Sequence, residues 1–150
     1  MIALAGASAP ASAKPEFVNG HFTLRPPAQS ECPPNLPLGI CMSGTVDGRV
    51  HGSFTFVPGD FNSSADSPTT LLTTGTAGVN AGGSTFECKH AGAIEIGRDG
   101  PRADGPFVSL CVITGGTGKW AGAQGYMRIT GTFTLDQGGI GSYDGKLVLP

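Results

Sequence analysis

The chain reads as an all-β protein built around one core. Several segments alternate apolar and polar residues with period two, and clusters of Gly, Pro, Asp and Asn punctuate them. No segment repeats its apolar residues at helical spacing. At 150 residues a single domain suffices, and a domain of this size buries roughly 70% of the surface its unfolded chain exposes. Glycine (25) and proline (12) are abundant, yet 39% of the residues are apolar and β-branched side chains recur throughout, so short strands with many turns fit better than disorder.

Met1 to Ala13 is rich in alanine and ends in an Ala-x-Ala pattern at Ala11 to Ala13. It resembles the last part of a secretory leader without its basic start, or else a disordered tail. The domain then occupies residues 14–150, and a secreted location is the expectation. In the first strand Val18, Gly20, Phe22 and Leu24 alternate with Phe17, Asn19, His21, Thr23 and Arg25, and Pro26-Pro27 ends it. A proline-rich loop covers 26–39. Ser43 to Val46 and Arg49 to Val57 flank Asp47-Gly48, a dipeptide suited to a type I′ hairpin turn. Pro58 to Pro68 reads as a polar loop. Thr69 to Thr76, Thr85 to His90 and Ala93 to Gly97 read as shorter strands, and Arg98 to Pro106 as a polar turn. Phe107 to Thr114, Gly125 to Leu135 and Ser142 to Leu149 complete the set. The strand count and spacing suit a sandwich or a closed barrel, and closure would leave no exposed strand edges.

The segment Val112 to Phe133 carries the most information. Two strand patterns meet at a glycine-dense corner, Gly115-Gly116-Thr117-Gly118, which reads as a hairpin because glycine accepts positive φ. Gly-Gly-Thr-Gly-Lys superficially suggests a phosphate cradle. The gap before Gly-Lys is too short for a P-loop, residue 120 is Trp rather than Ser or Thr, and a strand follows where a helix is required.

Gly115 to Gly118, Trp120, and Gly122-Ala123-x-Gly125 resemble the hairpin that marks the allene oxide cyclase and dirigent-protein superfamily, and Gly131-Thr132-Phe133 with Gly141-x-Tyr143-x-Gly145 resemble its closing strands. The likeness covers roughly the last quarter of the chain. It implies an eight-stranded up-and-down antiparallel β-barrel, often trimeric. Members cyclise fatty-acid-derived oxides, steer radical coupling or promote cycloadditions. The implied function is therefore binding of a small hydrophobic molecule and, if the protein is an enzyme, a cyclase or isomerase working without a cofactor. The chain departs from the family in its acids. No carboxylate here aligns with the one the oxide cyclases use, and Asp47, Asp60 and Asp136 do not map onto the dirigent aspartates.

Four cysteines, Cys32, Cys41, Cys88 and Cys111, allow three pairings. Cys32 with Cys41 would clamp the rigid Pro-Pro-Asn-Leu-Pro-Leu-Gly-Ile loop, which leaves Cys88 with Cys111. Each bridge would stabilise by roughly 2 to 4 kcal/mol. A zinc site is the rival, but there is no Cys-x-x-Cys spacing. A net charge of −2 without a basic cluster gives nucleic acid nothing to bind, and no apolar run reaches membrane-spanning length.

The three histidines, His21, His51 and His90, fall on separate strands, with no metal motif around them. Beside a cavity mouth, His21 and Arg25 would be ligand-binding candidates; on a solvated face they would need no explanation. No nucleophile elbow surrounds a serine. Glu95, between Ile94 and Ile96, is the acid whose neighbours best suggest partial burial and a raised pKa, although an exposed strand residue is the ordinary reading of such a position. Tyr126 and Arg128 are candidates to polarise a carbonyl. Trp120 and Tyr143 offer large apolar area with a polar tip, suited to orienting an apolar ligand or to packing. The alternative function is a non-catalytic secreted module that binds a partner or assembles as a dimer or trimer.

Overall fold

The computed structural model describes residues 14–27, 32–64, 66–96 and 103–150. The leader-like segment and most of the turn expected at 98–106 lie outside them. Eight strands run in chain order: β1 (Pro15–Leu24), β2 (Met42–Gly48), β3 (Gly52–Ser64), β4 (Ser67–Ala81), β5 (Ser84–Ile96), β6 (Ala103–Gly116), β7 (Gln124–Thr134) and β8 (Gly138–Val148). Each pairs antiparallel with the next, and β8 returns to β1 with Val18 opposite Gly145 and Phe22 opposite Gly141. The sheet is therefore a closed up-and-down barrel, which leaves no strand edge open.

The strands of the middle run longer than the sequence reading has them. Pro58 cannot donate to a ladder, which is why a loop is expected there, but β3 continues through it to Ser64. A register shift between Pro58 and Asp60 supplies the device: Gly59 is the extra residue, and the bulge absorbs the proline. β5 likewise runs unbroken through Ala91 and Gly92, joining the two short strands expected at Thr85 to His90 and Ala93 to Gly97. The Asp47-Gly48 turn is also corrected. Of the pair only Gly48 has positive φ (123°), and Arg49, Val50 and His51 make the connection, so it is not a two-residue type I′ turn.

The glycine corner does link two paired strands, β6 and β7, but by a longer route than a tight reversal. A single turn of 3-10 helix spans Gly118–Trp120, and the positive φ values fall at Gly118, Gly122 and Gly125 rather than at Gly115 or Gly116. Gly116 serves close approach instead, since a Cβ there would sit 2.5 Å from the Trp120 carbonyl oxygen.

Inward side chains fill one half of the barrel. Val50, Phe86, Trp120, Ala123 and Leu147 are all buried around the end where β2–β3, β4–β5 and β6–β7 turn. Phe86 meets Trp120 edge-on, with ring centroids 5.5 Å apart. Tyr143 reaches into the same region from β8. Its hydroxyl accepts from the Val50 amide and donates to the Val50 carbonyl, both at 3.0 Å, which satisfies a buried turn. Both disulfides are formed, Cys32–Cys41 and Cys88–Cys111, each with a Cα separation of 5.5 Å. The second lies wholly inside the barrel, joining β5 to β6.

Candidate functional site

The other half of the barrel is not filled. A cavity of about 90 Å³ lies toward the end where the β1–β2 and β7–β8 connections emerge, and its lining reaches Pro27, Ile40 and Leu135. Six of the chain's eight phenylalanines line it: Phe22, Phe54, Phe56, Phe61, Phe107 and Phe133. Period two explains how they converge, because they sit on β1, β3, β6 and β7 at positions whose Cβ vectors point inward. Phe22 can lie flat against the neighbouring strands because Gly141, its partner on β8, and Gly131, paired with Gly141 on β7, carry no side chain. A Cβ on Gly141 would be 2.5 Å from its ring. Phe22, Phe54 and Ile129 also border a second, smaller space of about 20 Å³ on the filled side. They form the cavity floor.

Among the described residues three polar ones interrupt this apolar lining, one on each of three neighbouring strands: Thr73 on β4, His90 on β5 and Ser109 on β6. The register sets Thr73 opposite Gly92 and Gly92 opposite Ser109, with His90 one inward position along from Gly92. Gly92 is what allows Ser109 its place, since a Cβ there would lie 2.5 Å from the Ser109 Cβ. Thr73 Oγ1 and His90 Nε2 share a hydrogen bond of 2.8 Å, and the imidazole packs against Phe56 with ring centroids 4.7 Å apart. Ser109 is 4% exposed, and its hydroxyl has no hydrogen-bond partner among the described residues. A buried hydroxyl without a partner costs roughly 1 to 3 kcal/mol, so this is a position a ligand oxygen could relieve.

Burial pushes the His90 imidazole down to about 4, because the charged form loses its hydration and gains no carboxylate in exchange. At neutral pH His90 is therefore an uncharged hydrogen-bonding group. The unfolded chain, with an ordinary histidine, binds the extra proton between about pH 6.5 and 4, while the folded one does not. Stability is thus full above that window and falls as pH drops through it, by up to about 3 kcal/mol. Urea unfolding at pH 7 and pH 4.5 should show this loss in the wild type and a much smaller one in His90→Gln. Parallel losses in the two proteins would refute the assignment.

Most residues singled out from the sequence lie elsewhere. Glu95 is exposed on the outer face, paired with Thr70, as the plain reading of a strand residue has it and not as the partial-burial alternative requires: its side of β5 points away from the core that Ile94 enters. Tyr126 and Arg128 are also on the outside, Tyr126 at 46% exposure, while Met127 and Ile129 between and beyond them face in. Arg128 makes a two-pronged ion pair with Asp144 across β7 and β8, both distances 3.0 Å, in solvent where such pairs contribute little. His21 and Arg25 are exposed on β1 and just beyond its end, and Arg25 hydrogen bonds Ser43. His51 pairs with Asp47 on the surface. Trp120 and Tyr143 are buried, but at the filled end, away from the larger cavity. None of the seven candidates lines that cavity.

What sequence reading passed over is the row Thr73, His90 and Ser109. A signal for two of them was present: the cysteines. A cystine is among the most buried side chains, so residues an even number from Cys88 and Cys111 share the inner face, which selects His90 and Ser109. Among the described residues no group of three or more His, Cys, Asp or Glu could hold a metal ion, and no helix is long and apolar enough to cross a membrane. Comparison with family models, curated proteins and solved structures finds no match to this chain.

Proposed function

We propose that this protein binds a small hydrophobic molecule inside its barrel, outside the cell, and guides its cyclisation or isomerisation by holding one reactive conformer. The observation that carries the proposal is the phenylalanine-lined cavity with a short polar row on one wall. Apolar rings supply affinity without selecting a functional group, and a few polar positions fix orientation, which is the usual composition of a small-molecule site. A rigid barrel that confines a flexible chain lowers the entropy cost of ring closure, and a neutral imidazole beside a hydroxyl can polarise a carbonyl. The hairpin likeness at Gly115 to Phe133 supports a place in the allene oxide cyclase and dirigent superfamily, and two disulfides suit an oxidising compartment.

A second reading rests on a separate observation. Val108, Leu110 and Val112 project outward from β6 with Tyr126 beside Val112 on β7, each 46 to 50% exposed. They form an apolar stripe that suits a non-catalytic module assembling with further copies of itself. Native mass spectrometry after incubation with mixed lipid and polyketide extracts separates the two. The binding reading expects a retained small molecule that is lost in Ala77→Phe, where a ring enters the cavity lining. The assembly reading expects an oligomer carrying none. Equal retention by wild type and Ala77→Phe would end the cavity proposal.

A further inference from the structure

Given that reading of the cavity, we infer that its ligand is uncharged and carries one neutral oxygen, carbonyl or hydroxyl, which enters first and docks on Ser109 beside His90. Three observations converge on this. Ser109 belongs to the cavity lining, and its Oγ is buried with no partner among the described residues. Such a hydroxyl gains a hydrogen bond from any neutral oxygen that reaches it, and the gain is larger because the group has already lost its water. His90 stands one inward position away and already spends Nε2 on Thr73, which leaves the other ring nitrogen as the remaining hydrogen-bonding position of that imidazole. Among the described residues, the other side chains of the lining are hydrocarbon, with the Met42 thioether the one further heteroatom.

Charge selects against the obvious rival, a fatty-acid carboxylate. Among the described residues the cavity lining contains no lysine or arginine, and His90, its single titratable group, is uncharged at neutral pH. A carboxylate driven down to Ser109 would be a buried charge with no counterion, a penalty that a single neutral hydrogen bond does not offset. A ketone, aldehyde or alcohol meets no such cost. A pure hydrocarbon meets none either, but leaves the Ser109 hydroxyl unsatisfied.

Calorimetric titration with four molecules of one ring size tests the inference: cyclohexanone, cyclohexanol, cyclohexane and cyclohexanecarboxylate at pH 7. Relative to wild type, Ser109→Ala should weaken the ketone and the alcohol about tenfold, as the loss of one buried hydrogen bond allows, and leave cyclohexane unchanged, while the carboxylate binds more weakly than the ketone and the alcohol in the wild type. A carboxylate that binds as well as the ketone overturns the inference and leaves the cavity reading standing. So does unchanged binding of the ketone and the alcohol in Ser109→Ala. Failure of all four to bind the folded, disulfide-intact protein overturns the cavity reading and the inference with it.

Discussion

Replacing Cys88 and Cys111 together by alanine is expected to lower the unfolding free energy by about 4 kcal/mol. The bridge closes a loop between residues 23 apart, which in the chain-entropy account restricts the unfolded state by about 3 kcal/mol. Both sulfurs are also buried, Cys111 completely, so the variant leaves unfilled volume worth about another 1 kcal/mol. The partner experiment removes Cys32 and Cys41. That bridge spans residues only 9 apart, and Cys32 is half-buried in a loop, so the expected loss is smaller, about 2 to 3 kcal/mol. Urea unfolding of the two double variants measures the difference. A larger loss on removing Cys32 and Cys41 would show that the interior bridge contributes less than its position predicts.

Phe86→Ala should be as damaging by an unrelated route. Its ring is 1% exposed at the filled end, edge-on to Trp120 and close to the small space behind Phe22 and Phe54. Truncating a buried phenylalanine costs about 4 kcal/mol when the surroundings cannot collapse, and a closed barrel resists collapse because every strand is held on both sides. For a domain of this size that corresponds to a fall in Tm of roughly 10 °C. The same change at Phe17, 80% exposed on β1, is the control and should shift stability by less than about 0.5 kcal/mol. Trp120 reports on the mechanism: its emission should move to longer wavelength in Phe86→Ala and not in Phe17→Ala. Unchanged emission with unchanged Tm would mean that the ring pair does not hold this end together.

The fold was legible because backbone periodicity and turn residues are local. Both disulfides followed from loop stiffness and elimination, and the β6–β7 hairpin from two alternating segments around glycine. The site was not legible, for a reason visible in β6. Val108, Leu110 and Val112 form the more aliphatic set and invite the inner face, yet they point out, while Phe107, Ser109, Cys111 and Ile113 point in. When both faces of a strand carry apolar residues, alternation shows that there are two faces and says nothing about which is the core. Tyr126 and Arg128 carry chemistry suited to a site, but the sign of the alternation, invisible in the sequence, puts them outside. Ser109 was passed over because a lone serine in a strand has no sequence mark. It acquires meaning only from Gly92 opposite it and Thr73 beyond, a row assembled by three strands.

Phe22 shows where the shape of such a cavity is stored. Its ring rests on two paired glycines, so the depth of the chamber is decided by side chains that are missing from β7 and β8 rather than by any that are present. A methyl group gained at Gly141 would meet the Thr130 carbonyl oxygen and, at 2.5 Å, the Phe22 ring, so the base of the chamber could not keep its present shape even though Gly141 itself lies outside the lining. Tailoring this barrel to a longer or shorter guest is thus a matter of the glycines behind its floor, and selectivity for length can drift independently of selectivity for functional group.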